Sequence, residues 1–137
     1  MKSIHALLKH AQTIAVVGLS ANPQRPSYGV ARALQARGCR IIPVTPAANE
    51  ILGERCVAEL ALLSAVLARG ERVDIVDVFR RPEHVGAIVD ECLRLNMPAL
   101  WLQDGVIDVA AATRAQQAGI LTVMDRCIWR DLAAMNA

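Results

Sequence analysis

Thr13-Ile14-Ala15-Val16-Val17-Gly18-Leu19-Ser20, with the arm from Ala21 to Ser27 behind it, is the stretch whose reading decides the fold. Apolar residues run without polar interruption from Ile14 to Val17, the pattern of a central parallel strand covered on both faces. Gly18 ends the strand and a prolyl loop follows. Ser27, a good N-cap, then opens a helix that Gly38 closes. Strand, turn and helix in this order put the turn at the carboxyl edge of a sheet, where helix N-termini offer N–H groups to an anion.

Outward from that stretch the alternation repeats. Ile4, Leu7, Leu8 and Ala11 recur at helical spacing within residues 3–12, predicting a short amphipathic helix ahead of the first strand. Arg40 to Val44 is a second strand, and Asn49 to Arg55, with Gly53, a turn. Glu59 to Arg69 places Leu60, Leu63, Val66 and Leu67 on one helical face and stops at Gly70. Val73 to Phe79 is the third strand, and Pro82 suits the first turn of the helix carrying Val85, Ile88, Val89 and Cys92. Ala99 to Gln103 is the fourth strand; Asp108 caps an alanine-rich helix that ends at Gly119. Ile120 to Met124 is the fifth strand, and Asp125-Arg126-Cys127 leads to a terminal helix.

Strands alternating with helices through short connections call for right-handed crossovers and a parallel sheet. The expected fold class is α/β: a single doubly wound, Rossmann-like domain over residues 1–137 with a five-stranded parallel sheet. Strand order 3-2-1-4-5 is expected in preference to 2-1-3-4-5. In either order the strand-end loops open on one edge.

Composition removes several functional classes. The 137 residues are 54% hydrophobic but only 3% aromatic, so Val, Ile, Leu and Ala must fill the core. Net charge is +2 and the aromatics Tyr28, Phe79, Trp101 and Trp129 are dispersed, which gives nucleic acid neither a basic stripe nor a stacking platform. No apolar run approaches the roughly 18 to 20 residues that span a bilayer, and the first ten residues are too polar for a signal peptide. A cytoplasmic protein is the expectation. Cys39, Cys56, Cys92 and Cys127 form no C-x-x-C pair, so neither a zinc site nor a disulfide framework is indicated, and the first three read as small buried hydrophobes. No Ser-His-Asp or Cys-His arrangement is visible. His84 reads as a surface residue in a helix's first turn, not a base.

The strand ends discriminate among ligands. The glycine after Gly18 is Gly29, already within the helix, so the dinucleotide motif G-x-G-x-x-G is not met. An NAD site also wants an acid after the second strand, where this chain has Val44-Thr45-Pro46. An NAD(P)-binding protein therefore stays an alternative without its principal marks. A phosphoacceptor domain needs an acidic pair after strand one; Gly18-Leu19-Ser20 stands there, and Asp77 alone cannot assemble a magnesium site.

Val16-Val17-Gly18-Leu19-Ser20, Arg25-Pro26-Ser27-Tyr28, Ile42-Pro43-Val44-Thr45-Pro46, Glu50-Ile51-Leu52-Gly53-Glu54, Val76-Asp77-Val78-Phe79-Arg80-Arg81, Leu100 to Val106 and Met124-Asp125-Arg126-Cys127 together resemble the small stand-alone CoA-binding proteins, whose fold is similar to the N-terminal domain of the succinyl-CoA synthetase α subunit. The resemblance covers about residues 13–128. It implies a coenzyme A or acyl-CoA ligand. CoA carries a diphosphate and a ribose 3′-phosphate and so needs two anion receptors. Backbone N–H groups from Gly18, Leu19 and Ser20 and from the helix start at Ser27 and Tyr28, with the side chains of Ser20, Arg25 and Ser27, are expected on the diphosphate. Arg80 or Arg81, after Phe79, is expected on the 3′-phosphate. On the resemblance alone, Val44, Thr45 and Pro46 flank the adenine, and Gln103, Asp104, Gly105 and Val106 border the pantetheine. The leading expectation is a binding protein without catalytic chemistry of its own; the alternative is a subunit or regulator of an acyl-CoA-handling enzyme, working with a partner chain. Cys127 follows the fifth strand at the same edge, which makes a mixed disulfide with the CoA thiol the alternative to weigh, and a buried, inert cysteine is the expected case.

Overall fold

The computed structural model describes residues 3–135. In chain order the elements are α1 (Ile4–His10), β1 (Thr13–Val17), α2 (Pro26–Ala36), β2 (Arg40–Val44), β3 (Glu50–Ile51), β4 (Glu54–Arg55), a 3-10 segment (Leu60–Ala65), β5 (Ile75–Val78), a 3-10 turn (Pro82–His84) running into α3 (Val85–Arg94), β6 (Ala99–Leu102), α4 (Val109–Gln117), β7 (Leu121–Val123) and α5 (Ile128–Met135). The fold class is as expected: a five-stranded, all-parallel sheet with helices on both faces.

Side-chain alternation along the buried strands builds a core on each face. Ile14, Val16, Ile75 and Trp101 point to one face and pack with Leu8 of α1, Ala31 and Leu34 of α2, and Ile128 and Leu132 of α5. Ala15, Val17, Val76, Val78, Leu100 and Leu102 point to the other and pack with Val85, Ile88, Val89 and Cys92 of α3 and the alanines of α4. Burial pushes the Cys92 thiol up to about 12. Cys39, Cys56 and Cys127 are only half-buried, so of the cysteines read as buried, Cys92 alone meets that expectation.

The strand order is β2-β1-β5-β6-β7, which is 2-1-3-4-5 for the five main strands and overturns the expected 3-2-1-4-5. The flank of β2 is the reason. Past β2 the chain turns back through the β3–β4 hairpin, whose turn residues Leu52 and Gly53 both have positive φ, 54° and 79°. It then bridges Val57 onto Val44 in parallel, with Thr45 N–H donating to Val57 O at 2.8 Å and Val57 N–H to Pro43 O at 3.0 Å. With that edge covered, β5 can join only on the far side of β1.

The helix expected over Glu59 to Arg69 is instead a 3-10 segment followed by irregular chain, with Leu60 and Leu63 buried three residues apart. Side chains from elsewhere hold backbone groups that a helix would pair internally. Arg40 donates to the Val66 carbonyl at 2.7 Å, and Glu71 accepts from the Ala68 N–H at 2.8 Å. Glu71 also takes the Thr13 hydroxyl and pairs with Arg40, tying this segment to the starts of β1 and β2.

Candidate functional site

The order 2-1-3-4-5 places its switch point between β1 and β5, and the carboxyl ends of these two strands meet at Gly18 and Phe79. Gly18 has φ +83°, and a Cβ added there would lie 2.4 Å from the Phe79 carbonyl oxygen and 2.8 Å from Cδ of Arg80. The turn is therefore glycine for a packing reason inside the protein, whatever approaches it from outside.

The loop behind Gly18 is organised by its own polar groups. Gly18 N–H donates to Val44 O at 2.9 Å, and Ser20 N–H to the Ser27 hydroxyl at 3.0 Å. The Ser20 hydroxyl accepts from Asn22 N–H and the Asn22 carbonyl oxygen Oδ1 from Gln24 N–H, at 3.0 and 2.9 Å. Ser27 is thus not the N-cap expected of it. The cap is Arg25, which makes no side-chain cap bond; Pro26 starts α2, and buried Ser27 ties the helix back to the β1 turn. Three of the N–H groups expected to face an anion are already engaged: those of Gly18 and Ser20, and that of Tyr28, which donates to Arg25 O at 3.1 Å. Leu19 N–H has no intramolecular acceptor among the described residues.

Two open hollows meet over this turn. One, of about 800 Å³, reaches toward β2 and is lined by Thr45, Pro46, Ala47 and Ala48. The other, of about 630 Å³, reaches toward β6 and α5 and is lined by Ser27, Gln103, Gly105, Val106 and Cys127. Gly18, Ser20, Arg25, Phe79, Arg80 and Arg81 line both, so the hollows are two lobes of one cleft joined across a shared saddle. Of the sequence-derived candidates, Leu19, Thr45 and Pro46 stand in the first lobe, Ser27, Gln103 and Gly105 in the second, and Gly18, Ser20, Arg25, Phe79, Arg80 and Arg81 between them. Val44 and Tyr28 line neither lobe. Val44 is buried in the core beneath the edge, and Tyr28 packs against the α1, α2 and α5 layer.

Arg40, Arg114, Arg126 and Arg130 pair with carboxylates. Arg25, Arg80 and Arg81 make no ion pair among the described residues, so the saddle holds three uncompensated guanidiniums. Arginines unpaired among the described residues also stand elsewhere on the surface, at Arg32, Arg37, Arg55, Arg69, Arg72 and Arg94; what marks the saddle is that three of them line one cleft. The one carboxylate lining either lobe, Asp104, is held by Arg130 at 2.7 Å through both its oxygens.

The wall of the second lobe is cross-braced. Gln103 Oε1 accepts the Ile128 N–H at 3.1 Å at the start of α5, Trp101 Nε1–H donates to Arg126 O at 2.8 Å, and Asp125 accepts Gly105 N–H at 2.7 Å. Beneath the cleft lies Asp77, fully buried on β5 between Val16 and Trp101, with no partner for either carboxyl oxygen among the described residues. Burial pushes its carboxyl well above the ordinary range.

Sequence reasoning missed His84 and the small residues Ala47 and Ala48 as lining residues. His84 carried a signal, its position just past the Arg80-Arg81 pair. The alanines carried none, since only the Val44–Val57 bridge turns their loop toward the saddle.

A doubly wound, all-parallel sheet with a cationic two-lobed cleft at its switch point defines a Rossmann-like α/β class of protein. Within that class the chain belongs to the CoA binding domain family, whose model matches residues 12–133. The uncharacterized protein YneT of Bacillus subtilis is 37% identical over 125 residues, 91% of this chain and 88% of that protein. The structure of cell-free ID.343 from Thermus thermophilus is 36% identical, covers 96% of each chain and superposes with a TM-score of 0.86. The acetyl-coenzyme A synthetase 1 of Ca. Korarchaeum cryptofilum shares the fold at a TM-score of 0.65 and 19% identity, over 81% of this chain and 25% of that one.

Proposed function

We propose that the protein binds coenzyme A or an acyl-CoA along the two-lobed cleft, with the nucleotide in the β2-side lobe, the diphosphate on the saddle and the pantetheine in the β6-side lobe. The observation that carries this reading is the saddle itself: three unpaired guanidiniums, with a lobe on either side, suit a ligand whose charge lies between two extended uncharged parts. Arg25 reaches the diphosphate, and the Arg80 and Arg81 pair supplies the second anion receptor for the 3′-phosphate. The lobe bordered by Gln103, Gly105 and Val106 takes the thiol-bearing arm and leaves room for an acyl group.

Thr45 and Pro46 at the end of β2 weigh against NAD, because no carboxylate is there to meet a ribose 2′-hydroxyl. The test is native mass spectrometry of dialysed protein with an equimolar mixture of CoA, NAD and NADP. A CoA adduct as the dominant species supports the reading, and a dominant NAD or NADP adduct overturns it.

A further inference from the structure

His84 closes the 3-10 turn after Arg80-Arg81-Pro82 and lies exposed on the wall of the nucleotide lobe. We propose that His84 is a specificity-determining residue that contacts the 3′-phosphomonoester of CoA and makes the preference for that phosphate depend on pH. The inference rests on the CoA reading of the cleft.

Among the residues lining this lobe the charged groups are Arg25, Arg80 and Arg81, whose guanidiniums hold their charge at any accessible pH. Histidine is the side chain that gains or loses charge at roughly pH 5 to 8, so the imidazole is the lobe's one group able to respond there. Its neighbours come from four elements. Arg80 and Arg81 line the lobe from beyond the end of β5 and Arg25 from the N-cap of α2; Glu59, the N-cap of the 3-10 segment, and Glu91 of α3 line with His84 a smaller hollow of about 180 Å³. A phosphate dianion arriving in the lobe attracts a protonated ring more strongly than a neutral one, so the added affinity is present at low pH and is lost as pH rises. A phosphomonoester loses its second proton with a pKa near about 6 and is almost wholly dianionic above neutrality, so a decline there originates in the protein.

The experiment compares CoA with dephospho-CoA by calorimetry between about pH 6.5 and about pH 8.5 for wild type, His84→Gln and His84→Lys. The wild-type preference for CoA is expected to fall as pH rises. His84→Gln is expected to lower it about tenfold at the acid end, the scale of one charge-assisted hydrogen bond, and to flatten it above neutrality. His84→Lys restores a preference that persists to the alkaline end. Wild type that binds CoA, with the same preference and the same pH profile in His84→Gln, overturns this inference and leaves the CoA reading standing. Wild type that binds no CoA removes both.

Discussion

The Phe79 carbonyl oxygen occupies the space that a Cβ on Gly18 would need, 2.4 Å from its ideal position, in a turn whose φ of +83° already disfavours any side chain. The ends of β1 and β5 are locked together by this contact, and the saddle of the cleft is its outer surface. Gly18→Ala must pay for left-handed backbone and displace a backbone carbonyl, at a combined cost of about 3 kcal/mol. Urea denaturation measures the loss. An unchanged midpoint would mean that the two strand ends are not so joined.

Arg25 and the Arg80-Arg81 pair should separate by ligand. Arg25→Ala is expected to weaken CoA and dephospho-CoA alike, because both carry the diphosphate. Removing whichever of Arg80 and Arg81 holds the 3′-phosphate is expected to weaken CoA about tenfold more than dephospho-CoA. Calorimetric titration of the single variants with both ligands checks this; equal losses for both ligands in Arg80→Ala and in Arg81→Ala would remove the second anion receptor.

Asp77 imposes a pH slope on stability. Its folded carboxyl is held well above the ordinary range by burial, so the protein binds a proton there that the unfolded chain gives up. Stability from this group is full below the ordinary carboxyl range and is lost as pH rises toward the folded value, at up to about 1.4 kcal/mol per pH unit. Asp77→Asn cannot ionise. Chemical denaturation at several pH values between about 5 and 8 should show the wild-type slope reduced in this variant, and parallel curves would contradict the assignment.

Glu71 acts in the opposite sense. Partial burial opposes its ionisation, but the Ala68 N–H, the Thr13 hydroxyl and the Arg40 guanidinium outweigh that and hold the carboxyl below its ordinary range. Its contribution is present above the ordinary carboxyl range and is lost as pH falls through the lowered folded value. Glu71→Gln should cost about 1 to 3 kcal/mol near neutrality, and the deficit should shrink in acid. Denaturation curves near pH 7 and in acid test both the size and the trend.

The layered α/β architecture was legible in the sequence because β1 and β6 are buried on both faces and read as apolar runs, β5, interrupted by Asp77, is bounded by Arg80-Arg81-Pro82, and Gly38, Gly70 and Gly119 mark where helices and connections stop. The strand order was misread, although one residue carried the signal. Pro43 has no N–H, and its carbonyl faces away from β1 toward Val57, so the missing donor falls on the side of β2 where no full strand pairs. A proline in strand two thus argued for placing that strand at the sheet's edge. The 3-10 segment was not legible: Leu60 and Leu63 fit an α-helix as well, and what prevents one is Arg40 and Glu71, contacts that exist only in three dimensions. At the site, the strand-end residues were readable because topology brings every such loop to one edge. Ser27 was assigned to the cleft but given a helix-capping role; its bond to Ser20 N–H depends on how the loop closes, which no local pattern specifies.

Backbone NMR of the isotopically labelled protein during a CoA titration tests the central claim most directly. CoA spanning both lobes predicts amide shift changes at Leu19 to Ser27, Thr45 to Ala48, Arg80 to His84, and Gly105 and Val106 together, saturating with one midpoint. Changes confined to the opposite, amino edge of the sheet, around α1 and Asp74, or no changes at all, would contradict the account.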